Sequence, residues 1–329
     1  MDGSRGLYRV ETEEGSFSCT IRGRLRKELV YAESGAARRS VRHVEVMPHD
    51  PVAVGDRVRI LPTGGASGVI EQVVARAGGA FSRRDPDPKS GNLRTVAGLD
   101  QLVPVFATRD PEPHLGLLDR FLVVAESQRM RPIICITKCD LGLAPELVAR
   151  LEVYRALGYP VVHTSVSTGE GLDDLRALLA GKVSALVGKS GVGKSSLLNA
   201  LLPEADLRVG EVSAATGKGR HTTTSTRLLP LGGSDGGYLA DTAGIRALGL
   251  DRDAERMLDA CFPEFRPHLG TCMLADCTHT HEPECAVRAA VAGGQVDAVR
   301  YASYCRMRGY DGATPLAEEM WDADDDFAE

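Results

Sequence analysis

The sequence predicts a multidomain protein with a small N-terminal β-barrel, a central doubly wound α/β domain of the P-loop class and a mostly helical, metal-binding C-terminal domain. Three observations support this fold class. Short alternating segments fill the first part of the chain, a Gly-rich phosphate-binding octet follows an apolar strand, and cysteines and histidines cluster after residue 270. A chain of 329 residues suits two or three domains. We expect them at 1–98, 99–250 and 251–329.

The N-terminal part is predicted to be rich in β-strands. Residues 16–22, 41–47 and 57–61 alternate between apolar and polar side chains, and Gly, Pro and Asp turns separate them. Several short strands in a segment of this size indicate a small barrel. Residues 82–93, rich in Pro, Asp, Ser and Gly, form either a loop or part of the connection to the next domain.

The charge distribution suggests a nucleic-acid surface on the same part. The whole chain has a formal net charge of −6, but residues 15–95 contain fourteen Lys/Arg against eight Asp/Glu, a balance of +6. Residues 317–329 contain seven acids and no base. Arg22, Arg24 and Arg26 alternate, so on a strand they would share one face and could contact RNA phosphates. The alternative is an ordinary solvated surface.

The central part, from about residue 100, contains predicted strands at 121–125 and 133–136 and a predicted helix at 145–157, an alternation typical of a doubly wound sheet. The P-loop follows. Residues 188–195 read GKSGVGKS and match G-x-x-x-x-G-K-[ST], between the apolar run 183–187 and a helix-like stretch. Backbone amides and the helix N-terminus attract phosphates, the lysine reaches the terminal phosphates, and the final hydroxyl binds Mg²⁺. The predicted nucleotide-binding residues here are Gly188, Lys189, Ser190, Gly191, Val192, Gly193, Lys194, Ser195 and Ser196, with Ser195 as the magnesium ligand.

Two segments predict guanine as the base. Thr137, Lys138 and Asp140 follow an apolar strand and resemble the Asn-Lys-x-Asp element of GTPases, with Thr in place of Asn. The Asp140 carboxylate would accept hydrogen bonds from the ring NH and the exocyclic amine of guanine, a pair of donors that adenine lacks. Ser165, one strand later, resembles the Ser of the loop that backs the guanine. Taken alone, Lys-x-Asp is also common at a solvated strand end.

Two further segments are typical of nucleotide-sensing switches. Residues 241–244 read DTAG and resemble the Asp-x-x-Gly of switch II, where Asp241 would hold a Mg²⁺-bound water and the Gly244 amide would sense the γ-phosphate. Residues 217–224 read GKGRHTTT and are typical of switch I, with Thr223 as a magnesium ligand. The alternative for the latter is the start of a Thr-rich strand.

The order of the motifs indicates a circular permutation. In Ras-like GTPases the P-loop precedes both switches and the base-reading elements. In this chain the base-reading elements at 137–140 and 165–167 come first, then the P-loop, then switch II. Such a rearrangement is tolerated where the old termini lie close together. The chain after residue 250 is therefore joined directly to switch II.

The hydrolytic group is not in its usual position. Ras-like GTPases position the attacking water with a Gln directly after Asp-x-x-Gly, but this chain has Ile245, which cannot hydrogen-bond to water. Slow turnover by the protein alone is expected. His221 in switch I is the predicted catalytic residue, because an imidazole orients or accepts from water. The alternative is that His221 contacts only switch residues or rRNA.

A cluster of cysteines and histidines predicts a structural metal site in the C-terminal part. Cys272, Cys277, His279 and Cys285 follow the pattern C-x₄-C-x-H-x₅-C, which suits tetrahedral Zn²⁺ and leaves no position for a catalytic water. His281 is a competing ligand, and chance clustering is the alternative. The other cysteines are expected to be small apolar or inert residues: Cys19, Cys135, Cys139, Cys261 and Cys305.

By its permuted motifs, the GRHTTT string at 219–224 and the C-x₄-C-x-H-x₅-C pattern, the chain resembles the RsgA family of bacterial GTPases, from about residue 54 to about residue 287. The resemblance implies an OB-fold for the barrel, GTP/GDP with Mg²⁺ and one Zn²⁺ as ligands, and the small ribosomal subunit with its rRNA as partners. It also implies GTP hydrolysis that times release from the subunit. Three residues differ from the usual family motifs. Thr137 in place of Asn and Ser167 in place of Lys put the affinity for the base in question, and Ala243 in place of Pro puts the rigidity of switch II in question.

Other features bear on location and on alternative functions. No apolar run approaches the eighteen or so residues of a membrane span, and the N-terminus lacks a signal-peptide core. We expect a cytoplasmic monomer with reduced thiols and no membrane partner. Residues 300–308, rich in Arg and Tyr, form either a second RNA- or protein-facing surface or a helix with inward tyrosines. Two alternative functions stay open: a permuted GTPase acting on another ribosomal or RNA partner, and an RNA-binding factor with a structural nucleotide.

Overall fold

The structure has a β-rich N-terminal part, a central mixed α/β part and a helical C-terminal part. It is a computed structural model and describes residues 3–4, 7–31, 41–46, 52–74, 78–84, 93–202, 227–232, 236–241 and 252–310.

The N-terminal part contains one five-stranded sheet and two hairpins. Its strands are β1 (Gly3–Ser4), β2 (Leu7–Thr12), β3 (Gly15–Ile21), β4 (Lys27–Tyr31), β5 (Val41–Val46), β6 (Val58–Gly64), β7 (Ser67–Val73), β8 (Gly79–Arg84) and β9 (Leu93–Leu99). The sheet order is β1-β2-β3-β7-β6, and β4–β5 and β8–β9 pair separately. Tyr8, Val10, Cys19, Val52 and Ile70 form its buried core. The predicted strands at 16–22, 41–47 and 57–61 are confirmed, with shifts of a residue or more at their ends.

The predicted arginine face is wrong in its local structure. β3 ends at Ile21, and Gly23–Arg26 form a 3-10 helix, so Arg24 and Arg26 do not alternate along a strand with Arg22. Gly23 lies between Arg22 and Arg24, and glycine has a poor strand propensity, so the strand does not continue through the arginines. Arg22 forms an exposed ion pair with Glu71.

A twisted sheet of mainly parallel strands forms the central part. Its strands are β10 (Gln101–Ala107), β11 (Arg131–Pro132), β12 (Ile134–Thr137), β13 (Val161–His163), β14 (Val183–Val187), β15 (Arg227–Pro230) and β16 (Tyr238–Asp241). The order is β13-β12-β10-β14-β16-β15, with β11 beside β10 and only the β15–β16 pair antiparallel. All seven residues of β10 are buried, as expected for a strand covered on both faces.

Helices cover both faces of this sheet. They are α1 (Leu115–Ser127), α2 (Pro145–Ala156), α3 (Leu172–Leu179) and α4 (Lys194–Leu201). One apolar cluster joins α1 and α2 to one face, and a second joins α3 and α4 to the other. The predicted strand at 133–136 and the predicted helix at 145–157 are confirmed within a residue. The strand predicted at 121–125 is wrong, because these residues lie inside α1.

The C-terminal part is mostly helical and packs on α1. It contains α5 (Arg252–Arg256), a 3-10 helix (Pro263–His268), α6 (Ala286–Ala292) and α7 (Ala298–Met307). Its apolar core includes Phe262, Phe265 and Tyr304, together with Val123 from α1. Tyr301 is also buried, so the 300–308 stretch is the inward-facing helix of the two alternatives.

Buried and half-buried ion pairs hold α7 against the central part. The Arg300 side chain is 1% exposed; its Nη1 lies 2.6 Å from Asp119 Oδ1 and its Nε lies 2.8 Å from Glu264 Oε1. The guanidinium also lies over the Phe262 ring, 4.6 Å from the centroid. Burial alone would lower the pKa of Arg300, but Asp119 and Glu264 raise it, so the residue is charged. At the start of α7, Asp297 accepts two hydrogen bonds from Arg150 of α2, at 2.8 and 3.1 Å.

None of the described helices combines the length and the apolar character that crossing a membrane requires.

Candidate nucleotide site and candidate metal centre

The P-loop connects β14 to α4 and has the backbone geometry of a phosphate-binding turn. Gly188, Gly191 and Gly193 have φ values of 152°, 84° and 90°. At Gly188 a Cβ would lie 2.3 Å from the Val105 carbonyl oxygen, so only glycine fits there. Lys194 Nζ donates to the carbonyl oxygens of Gly188 and Lys189, at 2.7 and 2.6 Å. Its ammonium therefore lies inside the loop, at the N-terminal end of α4.

The remaining predicted P-loop residues occupy the same turn and the start of α4. Val192 is buried, whereas Ser190, Ser195 and Ser196 are exposed. Ser195 and Ser196 are the second and third residues of α4. A hydroxyl in the first turn of this helix is accessible to a phosphate-bound cation.

The strand that leads into the predicted base-reading element is tied directly to the P-loop. Thr137, 3% exposed at the end of β12, donates from Oγ1 to the Val192 carbonyl oxygen at 2.6 Å and lies 3.2 Å from that of Phe106. The parallel strands β12, β10 and β14 are neighbours, so their carboxyl ends meet at one edge of the sheet. In open α/β sheets this edge is where ligands bind.

The Asp140 carboxylate is held by the neighbouring loop. Ser165 Oγ donates to Asp140 Oδ1 at 2.6 Å and accepts from the Thr168 amide at 3.3 Å. Asp140 is exposed, whereas Ser165 is fully buried, so the serine acts as a fixed support for the carboxylate. The structure thus brings together the two elements that the sequence assigned to guanine.

Lys138 is anchored by a segment that sequence reasoning missed. It adopts a left-handed backbone with φ 59°, and its ammonium donates to the Asp110 carbonyl oxygen. Thr108 Oγ1 donates to the Lys138 carbonyl oxygen at 3.0 Å. The link between β10 and α1 therefore supports the guanine motif. Nothing in its sequence resembles a nucleotide motif, so only the strand order could have indicated it.

The switch residues fall largely outside the described residues. His221, Thr223 and Gly244 all lie outside the described residues. Asp241 is the last residue of β16, whose neighbour β14 leads into the P-loop. Its backbone position is therefore at the carboxyl edge of the sheet, beside the phosphate-binding turn.

Four side chains converge in the C-terminal part: Cys272, Cys277, His279 and Cys285 have ligand atoms that all lie within 4.8 Å of one another. His279 Nδ1 is 3.5 Å from the Sγ atoms of both Cys272 and Cys285, and these two sulfurs are 4.0 Å apart. A tetrahedron with Zn–S bonds of about 2.3 Å has sulfur atoms roughly 3.8 Å apart. The donor set and its spacing therefore fit a structural zinc ion. His281, the competing ligand, is exposed and contacts Thr280 instead.

A carboxylate outside the motif orients the histidine. Asp259 Oδ2 lies 3.7 Å from His279 Nε2, the nitrogen on the far side of the ring from the sulfurs. The contact with His279 lowers the pKa of Asp259. The contact with Asp259 is in turn the main cause that raises the pKa of His279 to about 9. Metal-binding histidines commonly pair their second nitrogen with a carboxylate. Sequence spacing gave no signal for Asp259, because it precedes the motif on a separate turn.

These features define a P-loop GTPase with circularly permuted motifs and an appended cysteine–histidine centre. The profile described as RsgA GTPase matches residues 80–251. A protein of Gemmatimonas aurantiaca named small ribosomal subunit biogenesis GTPase RsgA is 45% identical over 312 residues, 94% of this chain and 95% of that one. One of the same name from Moorella thermoacetica is 40% identical, covering 91% of each. The chain belongs to the RsgA GTPase family.

Two solved structures are similar to this chain over nearly its whole length. The crystal structure of YjeQ from Thermotoga maritima has a TM-score of 0.66 and 32% identity, covering 93% of this chain and 94% of the other. YloQ, described as a circularly permuted GTPase, has a TM-score of 0.64 and 28% identity, covering 97% and 94%.

Proposed function

We propose that this protein hydrolyses GTP during biogenesis of the small ribosomal subunit and leaves the subunit when hydrolysis is complete. The observation that carries the proposal is the Ser165–Asp140 contact beside a complete P-loop, in the permuted order. The relatives named for small-subunit biogenesis align over more than nine-tenths of the chain, which supports the same partner here.

The nucleotide contacts are assigned to three segments. Asp140 reads the guanine edge, Lys138 supports the nucleoside, and the P-loop residues 188–196 bind the phosphates. Mg²⁺, when bound, neutralises phosphate charge and orients the terminal phosphoryl group. The residues to hold it are Ser195 and Thr223, with Asp241 through water; Gly244 contacts the γ-phosphate.

His221 is proposed to orient the attacking water. Ile245 stands where a Gln would do so, and its side chain has no hydrogen-bonding atom. His221→Ala should leave GTP affinity nearly unchanged and lower subunit-stimulated turnover, which is the pattern of a group used only in the transition state.

The remaining assignments concern the outer domains. The barrel at 1–98 is proposed to be an OB-fold that contacts rRNA, and Cys272, Cys277, His279 and Cys285 are proposed to hold one Zn²⁺ that folds the domain at 251–329. Arg22 must exchange its Glu71 partner for phosphate. Arg22→Ala should therefore reduce the slope of log affinity for the subunit against log salt concentration by roughly one, the effect of losing one phosphate contact. The protein is proposed to be a cytoplasmic monomer.

Measuring GTP turnover with and without purified small subunits tests the proposal. We expect slow turnover alone and at least about tenfold stimulation, equivalent to roughly 1.4 kcal/mol off the barrier. Large subunits and free rRNA serve as controls. Stimulation by large subunits alone would indicate the other-partner alternative, and tight GTP binding without turnover under any condition would indicate a structural nucleotide.

A further inference from the structure

Glu282 is a buried carboxylate in the loop between the last two metal ligands of the candidate zinc site. Its side chain is only 8% exposed, whereas that of its neighbour His281 is 66% exposed. Burying a carboxylate is unfavourable unless hydrogen-bond donors replace the lost water. The surroundings of Glu282 provide such donors, and all of them belong to the metal-binding loop.

Four donors converge on its two oxygens. Oε1 accepts from the Thr278 amide at 2.8 Å and from the Thr278 hydroxyl. Oε2 accepts from the Thr280 amide at 3.0 Å and from the His281 amide at 3.2 Å. Thr278 is the residue between the ligands Cys277 and His279. The carboxylate therefore fixes the backbone on both sides of the histidine ligand.

The carbonyl groups of the same loop are held from the opposite direction. Tyr304 of α7 donates to the Thr278 carbonyl oxygen at 2.6 Å, and Tyr301 donates to that of His279 at 2.9 Å. Arg288 of α6 donates to the carbonyl oxygen of Glu282 itself at 2.9 Å. Glu282 thus accepts hydrogen bonds from the backbone amides of this loop, while side chains of α6 and α7 donate to the backbone carbonyls of the same loop.

This arrangement accounts for an unfavourable backbone conformation at a metal ligand. His279 has φ 60°, in the left-handed region that non-glycine residues rarely adopt. Such a conformation persists only where surrounding contacts determine it. The amide contacts to Glu282 flank His279 and direct its Nδ1 towards the sulfurs of Cys272 and Cys285.

We propose that Glu282 is a positioning residue that shapes the loop from Thr278 to His281 for metal binding, a proposal that rests on the zinc site proposed above. Glutamine cannot replace it, although it has the same shape. Each oxygen accepts two hydrogen bonds, and the NH₂ group of an amide donates only. In Glu282→Gln that group would face at least one backbone amide donor in either orientation, since only the Thr278 hydroxyl among the four donors can also accept, and the loop would open on that side.

The experiment compares Glu282→Gln with Glu284→Gln in the full chain. Glu284 is exposed and lies two residues further along the same loop, so its substitution is a matched control. Apo protein is titrated with Co²⁺, whose visible absorption reports tetrahedral thiolate coordination, and Zn²⁺ affinity is obtained by competition. Glu282→Gln should weaken metal affinity by about tenfold or more, the usual effect of losing an outer contact. It should also alter the Co²⁺ spectrum, whereas Glu284→Gln should stay within about twofold.

The outcomes separate this proposal from the zinc site itself. If the unsubstituted protein binds neither metal, the zinc site is wrong. If it binds both and Glu282→Gln matches it in affinity and spectrum, the positioning role is wrong. Should Glu282→Gln not fold, as judged by circular dichroism, Thr278→Val decides the matter. This change removes one donor and keeps the amide, so it should weaken affinity by about threefold or more, beyond the range expected for the control. Affinity within the control's range would overturn the proposal.

Discussion

Thr137 shows how one substitution in a familiar motif changes the role of a residue. Its hydroxyl reaches the Val192 carbonyl oxygen at 2.6 Å, so it connects the base-reading strand to the phosphate-binding loop. The sequence suggested only a weakened guanine contact at this position. A threonine is too short to extend far beyond its own strand end, but it can bridge to a neighbouring loop.

The guanine assignment predicts a change of base preference at Asp140. Asp140→Asn replaces two acceptor oxygens by one acceptor and one donor, which suits the ring carbonyl of xanthine. We expect GTP affinity to fall by about tenfold or more and XTP affinity to rise above it, as measured by titration with fluorescent nucleotides. Equal ATP and GTP affinity in the unsubstituted protein would contradict the assignment.

Cys139 gives a prediction for pH dependence in the same motif. Burial raises the pKa of its thiol to about 11, and the thiol donates to the Ile136 carbonyl oxygen at 3.2 Å. Since only the thiolate is alkylated, labelling near pH 8 should be roughly a hundredfold slower than in the unfolded chain and should accelerate as the pH rises towards 11. Residue-resolved mass spectrometry after iodoacetamide treatment measures this. Labelling as fast as in denatured protein would show that the thiol is not shielded.

At the scale of elements, α1 explains where sequence reasoning failed. Residues 121–125 read FLVVA, a short apolar run that periodicity cannot distinguish from a strand. In the structure Leu122 packs on the central sheet while Val123 enters the core of the C-terminal part. A helix covered on two sides needs no polar face, so its pattern is lost. The strands β12, β14 and β16 were predictable because each directly precedes a recognisable motif.

The candidate metal centre was only partly predictable for a similar reason. Its four ligands follow a spacing rule, but Asp259 and the tyrosines of α7 reach it through tertiary contacts. Glu282 lies inside the motif and was visible in the sequence as an acidic residue. Its burial was not visible, because the amides around it converge only in the folded loop.

Two ion pairs that join the C-terminal part to α1 predict unequal effects of two arginine substitutions. Arg300 is fully buried between Asp119 and Glu264, whereas Arg266 is 50% exposed in its pair with Glu126. Removing one partner of a buried pair costs about 3–5 kcal/mol, and removing an exposed one costs less than about 1 kcal/mol. Denaturant unfolding of Arg300→Ala and Arg266→Ala measures both free energies. Similar values for the two variants would show that the buried cluster does not hold α7.

At the scale of the whole molecule, the hydrophobic cores are separate. The two clusters of the central sheet contain no residue from 252–310, and the C-terminal cluster takes only Val123 from the centre. Loss of order in the C-terminal part should therefore leave the P-loop intact.

Removal of zinc tests this independence. A strong chelator should release about one equivalent of zinc. It should also reduce the helical signal in circular dichroism and lower the midpoint temperature of the first thermal unfolding transition. GDP affinity should stay within about threefold, because the P-loop belongs to another core. Cys277→Ser should behave in the same way, with Cys305→Ala, an apolar replacement outside the ligand set, as a control. Loss of GDP binding in parallel with zinc would show that the two parts fold as one unit.

The strand order also determines how long β10 waits for its second neighbouring strand while the chain is being translated. Within the central sheet, β10, β11, β12 and β13 are translated before β14, which begins at Val183 and is the other neighbour of β10. About 75 residues separate the end of β10 from that strand, and translation at about 5–20 residues per second needs roughly 4–15 s to supply them. Throughout that interval the nascent chain presents an apolar, unpaired strand edge, the kind of surface that recruits other chains. We therefore expect the nascent chain to be most prone to aggregation before β14 and the P-loop have been translated.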